Sequence, residues 1–577
     1  MALERNIIKW VRAYACLILA ALCLLLVPNR YAFGQVDEGS ITGTVLDATG
    51  AVIPNALVTL VNTDQGITQQ TRTNSSGGYT FSPVRIGHYT VSASAKGFAK
   101  TTQQNLEVAI AQTLMVNIQL KLGAETETIT VTSAPPMMQT EEASVGQVVS
   151  QESVNSLPLN GRNFTFLAQI GAGMQTPQAD TRGNAASGAF SANGLRPAQN
   201  NYLLDGIDNN SDTVDFLNGT NFVVLPPLDA IQEFKVQTAD FSAELGRSAG
   251  AVLNATIKSG TNSLHGTAWE FFRNSKLDAA DWFEGFQKIP RGALEMNQFG
   301  VSAGGPILRN KIFIFGDFEG LRRVQGSVAT GAVPSAAERG SGYTNFQDLI
   351  AAQASSAALK DVLNRSFAQG TVLDPATTRS VGCGVPDTAS GITIPCAPTV
   401  PAGTVLGWVR DPFQCAASNT APTVGACPNL NIIPAGRLDP VAIGLMGLYP
   451  APTNTTSLFS NYGSSPNLYE HRNAFDVRAD FNPNQKDQVF LRFSYVDDPQ
   501  YIPGIFGGIA DGGGFQQGIQ TAKSSQTAAA WTHVFNPATV NVARLGLNHL
   551  HTTRFGPEGG VMGIPATYRN SGDPAID

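Results

Sequence analysis

The start of this chain carries the marks of export, yet no later apolar run approaches the length of a membrane-spanning helix. Arg5, Lys9 and Arg12 form a basic stretch, Ala13 to Val27 is unbroken apolar sequence, and Ala32-Phe33-Gly34 offers a small-x-small cleavage site before Gln35. That is the layout of a cleaved Sec-type signal peptide over residues 1–34. The apolar run covers 15 residues (13 to 27), short of the ~20 that a spanning helix needs. An exported chain without helical spans either stays free or enters a membrane as a closed β-barrel, the other structure in which every backbone group is paired.

Composition narrows the choice. Charged residues make up 14% of 577, and there are 58 glycines and 33 prolines, against ~25% charged in ordinary soluble domains. The formal net charge is −7 with no basic cluster, so nucleic acid is not an expected partner. Few charges and many glycines indicate a mainly β chain of about three or four domains, able to set one face of its strands against lipid.

The cysteines follow the compartment. Cys16 and Cys23 leave with the signal peptide, while Cys383, Cys396, Cys415 and Cys427 fall in one 45-residue window (383 to 427). An even cluster in an oxidising compartment indicates disulfides. Three pairings are open, and sequence neighbours, Cys383–Cys396 and Cys415–Cys427, are preferred. No C-x-x-C or nearby His supports a zinc site.

Residues 35–122 read as a small β-sandwich. Strand-like runs at Ser40–Leu46, Leu57–Asn62, Thr68–Thr73, Tyr79–Pro83, Tyr89–Ala95 and Leu114–Leu120 are punctuated by Asp47-Ala48-Thr49-Gly50, Ile53-Pro54-Asn55 and Asn74-Ser75-Ser76-Gly77-Gly78. Gly43-Thr44-Val45-Leu46-Asp47, then Thr73-Asn74-Ser75-Ser76-Gly77-Gly78-Tyr79-Thr80-Phe81, then Gly87-His88-Tyr89-Thr90-Val91, resemble the carboxypeptidase regulatory-like domain. That resemblance implies a carbohydrate-binding-like fold and no peptidase activity. Tyr79, Phe81, Tyr89 and Phe98 are either sugar-stacking rings or core.

Residues 123–138 form a connector. Within it Glu127, Thr128, Ile129, Thr130, Val131 and Thr132 read either as one more edge strand or as a TonB box, which they resemble: an acidic residue, then Thr and β-branched residues, with Pro135-Pro136 beyond. The resemblance implies a TonB-type inner-membrane energising complex as partner, engaged through main-chain hydrogen bonds.

Residues 139–262 resemble a plug domain. The order Leu157-Pro158-Leu159-Asn160-Gly161-Arg162-Asn163-Phe164, Asn193-Gly194-Leu195-Arg196-Pro197, Tyr202-Leu203-Leu204-Asp205-Gly206-Ile207 and Ile231-Gln232-Glu233-Phe234-Lys235-Val236 is similar to the plug of TonB-dependent outer-membrane receptors of the Oar-like branch. A mixed α/β unit is implied. Residues 263–577 read as barrel strands: His265–Arg273, Asn297–Gly304, Lys311–Gly320, Arg472–Phe481, Gln488–Asp497, Gln526–Phe535 and Thr539–His551, with one long loop at 321–469. In one strand Val489, Leu491, Phe493 and Tyr495 share a face and Phe490, Arg492 and Ser494 the other, the period-2 pattern of outer-membrane barrels. Seven strands fall short of the ~22 of plugged transporters, so the barrel reads as incomplete.

No catalytic constellation emerges. Gly246-Arg247-Ser248-Ala249-Gly250 matches G-x-S-x-G, but Val252–Ile257 behind it reads as a strand where a nucleophile elbow needs a helix. Asp208, Asn210 and Asp212 begin like a calcium loop without its distal glutamate. His549 and His551 share a strand face without a third ligand. The expectation is a non-enzymatic, cofactor-free outer-membrane receptor of a Gram-negative bacterium, taking up an unidentified ligand of carbohydrate or peptide class. A surface adhesin whose sandwich binds polysaccharide is the alternative.

Overall fold

The computed structural model describes residues 38–123, 128–132, 144–157, 159, 162–175, 190–211, 222–242, 245–247, 249–280, 282–287, 291–326, 328–353, 356–454, 457–511, 517–536 and 539–556. The segment read as a signal peptide lies outside them, as do Glu127, Asp212 and Ser248. No helix among the described residues is long and apolar enough to cross a membrane.

The first unit is a two-sheet sandwich of β1 (Gly39–Leu46), β2 (Leu57–Asn62), β3 (Thr68–Arg72), β4 (Gly78–Val84), β5 (Gly87–Ser94), β6 (Lys100–Val108), β7 (Thr113–Met115), β8 (Ile118–Gln119) and β9 (Thr128–Thr132). One sheet runs β4-β1-β7 with β8 also on β1, the other β3-β2-β5-β6-β9. Alternate residues turn inward, so that Ile41, Val45, Val58, Leu60, Val91 and Ile118 are buried between the sheets. Each such side chain contributes roughly 1.5–3 kcal/mol.

Two features depart from the sequence reading. β6 was not foreseen, because Lys100-Thr101-Thr102-Gln103-Gln104-Asn105 is polar and shows no alternation. The run expected at Leu114–Leu120 is split into β7 and β8: between them Asn117 Oδ1 accepts the Thr44 N–H (3.0 Å) and replaces a ladder bond.

The second unit is a mixed sheet in the order β10-β15-β16-β13-β14, built from β10 (Val145–Val149), β13 (Asn201–Leu204), β14 (Ile207–Asp208), β15 (Ile231–Ala239) and β16 (Val252–Ile257). A two-stranded ribbon of β11 (Met174–Gln175) and β12 (Ser191–Ala192) and a short helix at Gln151–Ser156 flank it. Phe164, Phe190, Tyr202, Phe222 and Phe234 supply its core, in tilted and edge-on ring contacts 5.4 to 5.9 Å apart.

The third unit is an antiparallel sheet with all seven expected strands, each longer than anticipated: β17 (His265–Asn274), β18 (Leu294–Leu308), β19 (Ile312–Gly326), β26 (Asn467–Phe481), β27 (Asp487–Ile502), β28 (Gly518–Asn536) and β29 (Thr539–Phe555). Among the described residues β17 and β29 do not pair, so the barrel is not closed. Ile314, Val477, Leu491, Phe493, Leu545 and Leu547 are exposed on the outer face, while Asp317, Glu319, Asp476, Arg478, Arg492 and Ser494 are buried on the inner one. This apolar-out, polar-in alternation is the membrane barrel's, with solvents reversed from a soluble sheet.

The connections orient the sheet. At one end β18 is joined to β19, β26 to β27 and β28 to β29 by two to five residues; at the other, β17 to β18, β19 to β26 and β27 to β28 are joined by fifteen or more. Short turns face the periplasm and long loops the exterior. Phe481, Trp531 and Phe535, exposed near the short turns, fit the aromatic girdle at that interface.

The connection 327–466 is a folded cap. It contains β20 (Ala329–Gly331), β21 (Leu359–Lys360), β22 (Ser366–Phe367), β23 (Leu373–Gly382), β24 (Val405–Pro412) and β25 (Tyr462–Ser464), with a small core of Leu363, Val381 and Val409. Buried Arg365 lies 2.8 Å from Asp361 and 2.6 Å from Asp411, and Arg379 joins Asp411 to Asp387. The Arg379 guanidinium, hydrogen-bonded to Asp387, holds that carboxyl well below the usual carboxylate range.

Candidate functional site

The second unit packs on the inner face of the barrel sheet, and one turn fixes it there. Leu204 pairs with Ile207 across Asp205-Gly206, and both turn residues have positive φ, 51° and 69°. Asp-Gly is the pair that such a two-residue hairpin favours. The turn projects the Asp205 carboxylate at the barrel wall, where it accepts from Arg478 Nη1 (3.0 Å), lies 2.6 Å from Arg492 Nε and accepts the Ile257 N–H (3.1 Å). Asp205 and Arg492 are both fully buried. Arg492 also bonds Ser494 and Gln526, and Ser494 bonds Asp476. Arg478 also donates to the Ile257 carbonyl (2.8 Å) and stands over the Phe490 ring at 4.7 Å. The strand alternation already set Arg492 and Ser494 on one face; what they meet depends on a turn 273 residues from Arg478, which no local pattern reveals.

The sandwich sits at the short-turn end. Gln65 Nε2 donates to Ser259 Oγ (3.0 Å) and to the Gly260 carbonyl (3.1 Å), and the Asn262 N–H donates to the Asp64 carbonyl (2.9 Å). Glu233 and Lys235, two residues apart on β15 and so on one face, clasp a sandwich loop: Glu233 Oε1 accepts the Ile110 N–H and Lys235 Nζ donates to the Ala111 carbonyl (3.0 Å). Burial, with Glu107 nearby, pushes the Glu233 carboxyl up to about 7 against the pull of the Ile110 N–H and Lys235.

The proposed partner-binding residues Thr128, Ile129, Thr130, Val131 and Thr132 form β9, pairing in parallel with β6 from Lys100↔Thr128 to Gln104↔Thr132. Their main chain is thus part of the sandwich sheet, at its end. The four cysteines lie in the cap, where Cys383 is joined to Cys396 and Cys415 to Cys427, with Cα atoms 4.8 and 5.5 Å apart. Tyr79, Phe81 and Tyr89 are core residues and Phe98 packs against them, so the stacking surface required by the polysaccharide alternative is not formed by these rings. Asp208 pairs with Arg247 at 2.6 Å. His549 and His551 are exposed on β29, and no metal-holding group of three occurs among the described residues.

A strand sheet that is apolar outside and polar inside is that of a membrane β-barrel, and here a separate unit is bound to its inner face. The chain belongs to the outer membrane β-barrel domain family, whose model matches residues 256–575, more than half its length. That family places it in the outer membrane of a Gram-negative bacterium. Residues 40–121 match the carboxypeptidase regulatory-like domain. A curated relative, the TonB-dependent transporter Oar of Myxococcus xanthus, is 27% identical over 301 residues, 50% of this chain; the chain spans 27% of that relative's length. Among solved structures, the outer membrane transporter YddB from Escherichia coli aligns with 70% of this chain and 39% of its own at 11% identity and TM-score 0.38. The ferric enterobactin receptor PfeA of Pseudomonas aeruginosa aligns with 72% and 42% at 10% identity and TM-score 0.37.

Proposed function

We propose that the protein is a TonB-dependent outer-membrane transporter that takes up a ligand not yet identified. The observation that carries this reading is the Asp205 turn locked onto Arg478 and Arg492 of the wall: a passage stopped by a separately folded domain conducts only if that domain is moved. The segment 127–132, between sandwich and plug in the chain, is the handle. Its extended, β-branched main chain suits strand pairing with a periplasmic energising protein. Exported by its signal peptide, the chain would take ligand from the exterior at the cap and release it to the periplasm when the plug shifts.

Proline has no N–H for such a ladder. In cells given a labelled panel of oligosaccharides, peptides and ferric chelates, Ile129→Pro and Val131→Pro are expected to abolish uptake of whichever compound is taken up, while binding at the cell surface persists. Ile129→Val keeps the extended backbone and is expected to behave as wild type. Uptake untouched by both prolines would overturn the reading.

A further inference from the structure

We infer that the sandwich presents residues 128–132 as a finished sheet edge, and that the energising partner adds its strand there as the sixth strand of the sheet β3-β2-β5-β6-β9. This rests on the TonB-box reading above and specifies how that segment is offered.

Three observations converge on it. The β6–β9 register runs without a bulge over all five residues, and β9 ends its sheet, so one side of its main chain faces no strand among the described residues. This edge is also undefended. Natural sheets protect their edges with charge, proline or brevity. Edge strand β3 carries Arg72, β4 carries Pro83, and β7 and β8 are three and two residues long. β9 is Thr-Ile-Thr-Val-Thr, with no charge, proline or glycine. Finally, burial does not explain why β9 is in the sheet. Val131 is 41% exposed and Thr130 is exposed, whereas β6 buries Leu106 and Val108. A strand that leaves Thr130 and Val131 exposed but is held extended by its neighbour is preorganised for a further strand, since the ordering entropy is met on folding and not on binding. The sandwich lies at the short-turn, periplasmic end, where such a partner would approach.

Gln104 and Thr132 are register partners and Gln104 is exposed, so Gln104→Cys with Thr132→Cys welds β9 to β6. The full chain in detergent micelles is titrated with the purified periplasmic domain of a TonB-type protein, with wild type, single-cysteine and reductant controls. The oxidised double variant is expected to bind within twofold of wild type or more tightly, while Ile129→Pro and Val131→Pro bind at least tenfold more weakly. Weaker binding of the oxidised form, restored by reductant, would show that the partner takes the segment away from β6; the inference would then fail with the TonB-box reading intact. Prolines without effect would remove that reading and this inference together.

Discussion

Arg85 of the sandwich donates to Asp480 of the barrel wall across 3.0 Å, linking positions 395 residues apart. Asp480 is fully buried and also accepts from Ser259 Oγ (2.8 Å) and from Arg478. One carboxylate therefore joins the sandwich, the link between plug and barrel, and the wall. Arg85→Ala leaves Asp480 its other partners, so the loss is that of one charge-assisted bond, about 1–3 kcal/mol. The expected result is faster hydrogen exchange in residues 62–66 at the docking face, with the sandwich core over β2 and β5 unchanged. Equal exchange in variant and wild type would mean that this pair does not hold the sandwich.

Docking is expected to weaken as pH rises. Glu233 titrates near 7 with the Ile110–Ala111 loop in place, against 4.5 for a free glutamate. The docked state thus holds a proton that the undocked state gives up between those values. For a group raised on docking, the contribution is fully present below about pH 4.5 and lost as pH passes 7. The facing charges are Lys235, which opposes the shift, and Glu107, which adds to it. At ~1.4 kcal/mol per unit the full effect is at most roughly 3.5 kcal/mol. A distance-sensitive spectroscopic pair across sandwich and plug would report it, and Glu233→Gln is expected to flatten the profile. A wild-type profile flat from pH 5 to 8 would contradict it.

Much of this architecture was legible in the sequence because barrel strands obey a rule one residue at a time. That Leu491 and Arg492 lie on opposite faces follows from alternation alone, and all seven strands could be placed. β6 was illegible for the same reason: Lys100 to Asn105 carry no apolar alternation, and only its neighbours β5 and β9 make it a strand. The sites posed a different difficulty. Asp205 is recognisable as a turn residue from Asp-Gly, but its meeting with Arg478 and Arg492 is a property of how plug and wall pack. Glu233 and Lys235 alternate on a strand like any charged pair, and nothing local says that a sandwich loop lies between them.

The cap is expected to depend on its cross-links. Free-thiol labelling of the denatured mature protein should find no reactive cysteine, and four labelled thiols would overturn the pairing. Loops of this size lose about 3 kcal/mol when opened, so replacing Cys383 and Cys396 by serine is expected to increase proteolysis within 373–412 while the barrel strands stay protected.

The strongest effect is expected at Asp205. Asp205→Ala leaves the guanidiniums of Arg478 and Arg492 without their shared carboxylate. Arg478 retains Asp480 and the Ile257 carbonyl, and Arg492 retains Ser494 and Gln526, so the wall keeps its shape while the plug loses its anchor. Removing one partner from a buried ion pair costs about 3–5 kcal/mol. Asp205→Asn keeps the turn and one acceptor, since asparagine also tolerates positive φ, and is expected to lose less. The measurement is urea-induced release of the plug, followed by hydrogen exchange of β13 to β16 beside that of β26 to β28. The alanine variant is expected to release its plug at lower urea than asparagine, and asparagine at lower urea than wild type, with the barrel strands unchanged in all three. Simultaneous loss of barrel and plug protection would show that Asp205 supports the wall itself, and the anchoring role would fall.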